Sequence, residues 1–431
     1  MVVLIIGLFT SIFLYNLFLT DAHAIPVFAR KYKTSCQTCH VAFPRLNAFG
    51  EAFRRNGYQF PQIDEGYVKE EPLPLGTPAW KKVWPEGIWP GQIPAMVPIA
   101  LRVESSYRYD DRSEVTHDFT FPNELELLTG GTFGEDISFY GEIALFEEGD
   151  TGKVGRLFLQ FDNLFDSKLP KHLLNLRIGQ FEPAAVPFPS QRRLTFTNYL
   201  FNSFKVGKNN FQFSSAQKGL EVKGIIKSRL EHALGIVNGN GAGAKDESTD
   251  SFDNNSKKDI YIRLGYKIGG IGLDGTTDVE IEDEGLLNQV GLTENSIKFG
   301  TFGYLGENSI KYSGMDFNDK FYRYGFDLDG YYQNINLFGA ILLGRDDNPS
   351  GNLKEVEVTA YLVEANYLFL PWLIGILRYE ETNLNPGYKR GQVIPNLTLL
   401  IRANLKCILE AQISTKDDVS NKIFAGLDYA F

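Results

Sequence analysis

Two cysteines and a histidine form the part of the sequence whose spacing most clearly indicates a chemical role. Cys36 and Cys39 are separated by two residues, and His40 follows directly. This Cys-x-x-Cys-His pattern is the attachment motif of a c-type haem. We expect the two thiols to lie about one helical turn apart, where both can reach the vinyl groups of one porphyrin, and the His40 imidazole to bind the iron axially.

Other uses of paired cysteines fit this sequence less well. A thioredoxin-like redox pair belongs in a βαβ context, and a zinc site needs further cysteines or nearby histidines. The one other cysteine, Cys407, is far away in the sequence. We therefore predict one covalent haem c, with Cys36 and Cys39 as attachment residues and His40 as the axial ligand.

A short helix is predicted directly after the motif, over residues 42–55. Phe49 and Phe53 share its apolar face, and Gly57 is expected to end it as a C-cap. The two phenylalanines are predicted to pack on the porphyrin, a position that ordinary core packing would favour as well. The haem segment, residues 25–71, is too short to build a core of its own. We expect it to need the haem and a second surface.

The first residues read as an export signal. Residues 2–19 are almost all apolar, and Ala22-His23-Ala24 follows as a small-x-small cleavage site, so residues 1–24 are predicted to be a secretory signal peptide. Export agrees with the motif, because c-type haem is attached outside the cytoplasm. The formal charge of −10 gives no support to nucleic-acid binding.

A linker rich in proline and tryptophan, residues 72–96, follows the haem segment. It ends at Met96. This residue could fold back and provide the sixth iron ligand, or it could serve only for packing, and the sequence favours neither role. Met/His ligation raises the potential of a haem, which suits a mild electron donor. The other candidate sixth ligands are Met315, His117, His172 and His232.

From residue 97 to the last residue, apolar and polar positions alternate. Ile99, Leu101 and Val103 alternate with Arg102 and Glu104, and the pattern recurs with aromatic residues near strand ends. This pattern is typical of a transmembrane antiparallel β-barrel, with apolar side chains towards lipid and polar ones towards the lumen. We predict an all-β barrel over residues 97–431 with about sixteen strands, and a miscounted pair near residues 269–295 would make the number fourteen or eighteen. Their expected starts are near residues 97, 121, 136, 156, 173, 219, 231, 259, 296, 321, 335, 357, 372, 393, 405 and 421.

An even strand number places both ends of the barrel chain on one side, which for an exported protein is the periplasm. Residues 184–218 and 241–258 are then outer loops, and the acidic stretch 269–295 is periplasmic. The hydrocarbon layer is about 30 Å thick, so a haem hanging below the pore would be too far from the outside for direct electron exchange. We therefore expect the small α-helical haem segment to plug the lumen.

The block around the motif resembles the fused monohaem cytochrome–porins of bacterial outer membranes. The similarity covers about thirty residues, and its matching positions are Phe28-Ala29-Arg30, Cys36 to His40, Pro44, Leu46-Asn47, Phe49-Gly50, Phe53 and Gly57-Tyr58. The resemblance implies haem attachment at Cys36 and Cys39 and axial ligation by His40. It also implies oxidation of extracellular iron(II).

The function predicted from these features is electron transfer across the outer membrane, from an extracellular donor such as Fe(II) to a periplasmic c-type cytochrome. Such a protein is an electron carrier rather than a classical enzyme. The alternatives are a haem-plugged porin with a transport or sensing role, and electron export to external acceptors. One group of acids in an outer loop could attract cations: Asp246, Glu247, Asp250 and Asp253. A second group could dock a basic periplasmic cytochrome: Asp278, Glu280, Glu282, Asp283 and Glu284. Ordinary solvation is the favoured role for both groups.

Overall fold

A computed structural model describes most of the chain from Val27 to Phe431. The described residues are 27–61, 64, 68, 70, 72–83, 85, 91–241, 251–277, 294–312, 314–416 and 419–431. The predicted signal peptide, Trp84, Trp89, the acids of residues 278–284 and three of the four acids of residues 246–253 lie outside them. Asp253 is described, and its carboxylate pairs with Lys258.

The N-terminal segment, residues 27–61, contains two short helices and a small hairpin. Helix α1 is Val27–Tyr32, a 3-10 turn follows at Cys36–Thr38, strands β1 (His40–Ala42) and β2 (Arg45–Leu46) pair antiparallel, and helix α2 is Ala48–Arg55. Helix α2 therefore begins later than predicted, because residues 40–46 form the hairpin. Its end agrees with the prediction: Gly57 has a positive φ of 67°, and the Tyr58 amide donates to the Phe53 carbonyl at 3.0 Å.

The linker contains little regular structure among its described residues. Strands β3 (Leu73–Pro74) and β4 (Gln92–Ile93) form a two-stranded sheet, and helix α3 is Ala79–Val83.

Sixteen antiparallel strands then form a closed barrel in which each strand pairs with the next and β20 pairs with β5. The strands are β5 Ile99–Asp110, β6 His117–Thr132, β7 Ile137–Glu147, β8 Asp150–Phe161, β9 Asn175–Phe181, β10 Gln217–Ile226, β11 Leu230–Val237, β12 Asp259–Gly269, β13 Ser296–Tyr312, β14 Met315–Tyr332, β15 Ile335–Asp346, β16 Val356–Leu370, β17 Leu373–Asn385, β18 Lys389–Arg402, β19 Leu405–Ser414 and β20 Lys422–Ala430. The predicted fold class and strand number are confirmed.

The side chains of the barrel are apolar outside and polar inside. In β12, Ile260, Ile262 and Leu264 are exposed, whereas Asp259 and Arg263 are buried. The period of two along a strand sends these two sets to opposite faces, and the outer set forms an apolar surface suited to lipid. None of the helices among the described residues is long and apolar enough to cross a membrane.

The N-terminal segment lies inside the barrel, because its side chains pair with inward-facing groups from well-separated strands. Arg45 pairs with Glu364 of β16 at 3.3 Å, and Arg55 pairs with Glu231 of β11 at 3.2 Å. From a third direction, Lys406 of β19 donates to the Phe43 carbonyl. The Asn56 amide donates to the carbonyl of Asp274, in the turn after β12. The segment therefore occupies the half of the lumen near the end where β5 begins and β20 finishes, called here the terminal end.

The long connection between β9 and β10, residues 182–216, also folds into the barrel and is called here the inward loop. Glu410 accepts the amides of Phe196 and Thr197 at 2.9 and 2.8 Å, and Glu380 accepts the amide of Phe201 at 3.2 Å. Helix α4, Leu200–Ser203, lies within it. The inward loop and the wall share one apolar cluster whose members include Tyr199, Phe201, Phe204, Phe211, Phe213, Tyr261, Phe302, Tyr304, Phe321 and Phe338. The predicted outer loop 184–218 thus packs within the half of the lumen opposite the terminal end.

Candidate functional site

The 3-10 turn Cys36–Thr38 brings the two cysteines of the motif together. The Cys39 amide donates to the Cys36 carbonyl at 3.2 Å, and the Ser35 hydroxyl caps the turn by accepting the Gln37 amide at 3.2 Å. Both thiols are free. Burial raises the pKa of Cys36, and burial with the nearby Cys36 raises the pKa of Cys39 to about 12. Thiols kept protonated in this way do not suit a reactive redox pair, which needs a thiolate.

His40 is placed as a neutral, buried imidazole. Burial lowers its pKa to about 4, although the backbone near Pro44 and Arg45 acts in the opposite direction. The ring packs edge-on to Phe43, with centroids 5.4 Å apart. Its Nδ1 atom is buried without a hydrogen-bond partner in the described part of the chain. A neutral imidazole is the form that binds a metal, so His40 fits the role of an iron ligand.

Asn47 and Gly50 hold the motif against helix α2. The Asn47 side chain accepts the Gly50 amide at 2.8 Å and donates to the carbonyls of Gln37 and Thr38, each at 3.1 Å. A Cβ atom at Gly50 would lie 2.0 Å from the Cys39 carbonyl oxygen. Only glycine fits so close a backbone approach. The sequence gives only a weak indication of these contacts. Asn47 has the residue type of a helix N-cap, and Gly50 is a glycine inside a helical pattern.

The two phenylalanines of α2 have different surroundings. Both belong to the buried aromatic cluster of the segment, where Phe49 packs edge-on to Phe60 at 5.1 Å and Phe53 packs edge-on to Tyr32 at 5.8 Å. Phe53 also lines the cavity beside the motif, whereas Phe49 is not among the described residues that line it.

The predicted sixth ligand, Met96, is not brought to His40. Its side chain is half exposed, its amide donates to the Glu70 carboxylate, and it does not belong to the described wall of the cavity that His40 lines. Of the other candidates, His117 bonds to the Tyr107 hydroxyl at 2.6 Å, and His232 contributes to the cavity wall. Met315 begins β14 at the end of the barrel away from the motif, and His172 lies in the connection between β8 and β9.

A cavity of about 430 Å³ lies between the N-terminal segment and the inward loop. Pockets for cofactors and other small molecules are typically about 300–1,000 Å³, so this volume suits a large ligand. Cys36, Cys39 and His40 line one side, and Phe188 and Tyr199 of the inward loop also contribute. The three motif residues therefore face a space into which a prosthetic group can bind.

The cavity wall is strongly charged, with a surplus of cations. Eleven of its described residues are Arg or Lys and eight are Asp or Glu, although the whole chain has a formal charge of −10. Among the described residues, including those of the cavity wall, no group of three or more His, Cys, Asp or Glu side chains is arranged to hold a metal ion. The wall therefore suits a ligand that carries negative charge.

Comparison with known proteins supports the fold. No family model and no curated protein matches the chain. Among solved structures, an anion-selective porin from Comamonas acidovorans is similar with a TM-score of 0.53 at 11% identity, covering 78% of this chain and 99% of that chain. Salmonella typhi OmpF, in complex with daunomycin, is similar with a TM-score of 0.52 at 9% identity, covering 79% of this chain and 98% of that chain. A loop-deletion mutant of Vibrio cholerae OmpT is similar with a TM-score of 0.50 at 10% identity, covering 78% of this chain and 99% of that chain.

These likenesses define the class of the fold: a sixteen-stranded barrel of the outer-membrane porin type. Within that fold, this chain places a Cys-x-x-Cys-His segment and an aromatic loop in the lumen.

Proposed function

We propose that this protein carries electrons across the bacterial outer membrane by means of one haem c bound covalently in the lumen. The observation that carries the proposal is the position of Cys36, Cys39 and His40 on the wall of a 430 Å³ cavity inside a barrel of porin type. When bound, the haem supplies one-electron exchange at its iron. The outer membrane is the proposed location, because the fold and the apolar outer face suit it.

The residues of the chain divide the task of holding the group. Cys36 and Cys39 provide two thiols for attachment, and His40 provides a neutral ring nitrogen. Asn47 and Gly50 position the motif by fixing its backbone on α2. The inward loop lies on the opposite side of the cavity, where its aromatic side chains pack against the barrel wall.

The donor and the acceptor follow from the resemblance to the cytochrome–porin fusions. We propose extracellular Fe(II) as the donor and a periplasmic c-type cytochrome as the acceptor, with electron export in the opposite direction as the rival use of the same site. Because a small cation needs only to approach the conduit from outside, the proposal does not need a tight Fe(II) site.

Stopped-flow mixing of oxidised, haem-loaded protein with Fe(II) tests this donor. We expect the haem bands to change to those of the reduced form, because Fe(II) as the donor gives one electron to the haem iron. A matched sample should be mixed with Fe(III), which cannot reduce the haem. If Fe(II) leaves the haem oxidised at a pH where it is soluble, the donor assignment is wrong.

A porin with a transport role is the second candidate, and the fold itself favours it. Liposome swelling in candidate solutes measures this role directly. Because the N-terminal segment and the inward loop both occupy the lumen, we expect the liposomes to swell slowly. Rapid, solute-selective swelling would favour a transport role instead.

A further inference from the structure

Five cations from five different elements come together on one side of the cavity. They are defined here as the cationic cluster: Arg54 of α2, Arg156 of β8, Arg177 of β9, Arg192 of the inward loop and Lys223 of β10.

Electrostatic contacts show that the members of the cationic cluster are close together. Arg54, Arg156, Arg177 and Arg192 all act on the Tyr58 hydroxyl, and Lys223 interacts with Arg54 and Arg177. The N-terminal segment, the wall and the inward loop therefore meet around one concentration of positive charge.

The carboxylates nearby do not fully compensate these cations. Glu51 is shared by Arg54 at 2.8 Å, Arg192 at 3.4 Å and Arg55 at 3.6 Å. Burial lowers the pKa of Arg192 to about 10, and the neighbouring Arg54 acts in the same direction. Arg156 has its own carboxylate partners, Glu142 at 2.6 Å and Glu182 at 3.8 Å. The shortage of anions therefore lies around Arg54 and Arg192, which share Glu51 with a third arginine.

Arg177 gives an independent indication of a missing partner. Its Nη1 atom pairs with Glu221 at 3.2 Å, and its Nη2 atom donates to Gln160 at 3.2 Å. Its Nε atom, however, is buried and has no partner among the described residues. Arg108, Arg193, Arg323 and Arg378 have a similar unpartnered Nε, but of these five arginines only Arg177 lines the cavity. A buried charged group is costly unless it is paired and hydrogen-bonded, so the geometry suits an anion that enters the cavity.

We propose that the cationic cluster binds the two propionate carboxylates of the haem. This inference rests on the proposed function and deepens it by assigning the polar half of the cofactor site. Arginine binds carboxylates through parallel hydrogen bonds, and two negative charges would offset most of the cavity's surplus of three. Because Arg54 and Arg192 belong to the segment and the inward loop, the bound propionates would also tie these two parts together.

Porphyrins with and without free carboxylates test the assignment. The full chain carrying both Cys36→Ala and Cys39→Ala keeps His40 and binds porphyrin reversibly, so dissociation constants can be measured by absorbance titration. We expect ferric protoporphyrin IX to bind at least about tenfold more tightly than its dimethyl ester, which corresponds to one charged hydrogen bond. Arg177→Gln or Arg192→Gln should reduce this preference at least about threefold.

The matched control is Arg193→Gln. Arg193 is in the same loop and has the same charge, but it donates to the carbonyls of Ser190 and Phe196 and is not among the described cavity-lining residues. This control should keep the full preference for the free acid, and circular dichroism should show the same barrel in every variant.

The possible failures are distinguishable. Equal binding of the two porphyrins, or a preference that survives in Arg177→Gln and Arg192→Gln, would overturn the propionate assignment and leave the haem site standing. Failure to bind either porphyrin would overturn both the proposed function and the inference that rests on it.

Discussion

His40 and the two cysteines show how far single residues can be interpreted from sequence. Their spacing predicts the cofactor, and the structure adds a buried, neutral imidazole and two protonated thiols beside a cavity. The contribution of Asn47 and Gly50 was harder to predict, because it depends on the contact of α2 with a turn about ten residues earlier in the chain. That contact becomes visible only once residues 40–46 fold as a hairpin.

Gly50→Ala tests the close approach between α2 and the motif. The new Cβ atom would lie 2.0 Å from the Cys39 carbonyl oxygen, so the turn must move away from the helix. Overpacking of this kind costs about 1–3 kcal/mol. We expect the yield of covalent haem per barrel, measured by absorbance and intact mass, to fall severalfold.

The control for this substitution is Gly303→Ala in β13, where the nearest side-chain atom to a new Cβ lies at 3.6 Å, an ordinary contact. The control should load haem normally. If Gly50→Ala loads haem as well as Gly303→Ala does, the proposed positioning role of Gly50 is wrong.

The inward loop is the element that pattern analysis missed. The even strand count predicts that residues 184–218 form an outer loop. The available indication was composition: Phe196, Phe201, Phe204 and Phe211 are too apolar for a solvated loop. Their partners, such as Phe338 of β15, are far away in the sequence, so no local pattern could identify them.

Removal of the inward loop should open the half of the lumen away from the terminal end. We expect a full chain in which residues 185–213 are replaced by a short Gly-Ser linker to show a severalfold higher single-channel conductance in planar bilayers, because its aromatic core no longer fills the barrel. Shortening the connection at residues 111–116 provides a control, since it lies at the same end of the barrel, bonds to Asn421 of a neighbouring connection and lies outside the shared apolar cluster. Equal conductance of the loop variant and the native chain would contradict this assignment.

The barrel as a whole was the most predictable feature. A period of two specifies which face of each strand is buried, and the sixteen predicted starts lie within about six residues of the observed ones. The placement of the N-terminal segment followed from a physical argument, its lack of a self-sufficient core. Ion pairs such as Arg45–Glu364 and Arg55–Glu231 are now seen to hold that segment inside the barrel.

Electron transfer across a sealed bilayer tests the central claim most directly. Haem-loaded protein should be reconstituted into liposomes that enclose oxidised mitochondrial-type cytochrome c, and Fe(II) should be added outside. A control sample also receives a membrane-impermeant iron chelator outside the liposomes. We predict that the enclosed cytochrome is reduced only when the protein holds haem, and that the Cys36→Ala, Cys39→Ala chain, prepared without added porphyrin, leaves it oxidised. Reduction at the same rate with both proteins, or with neither, would contradict the account.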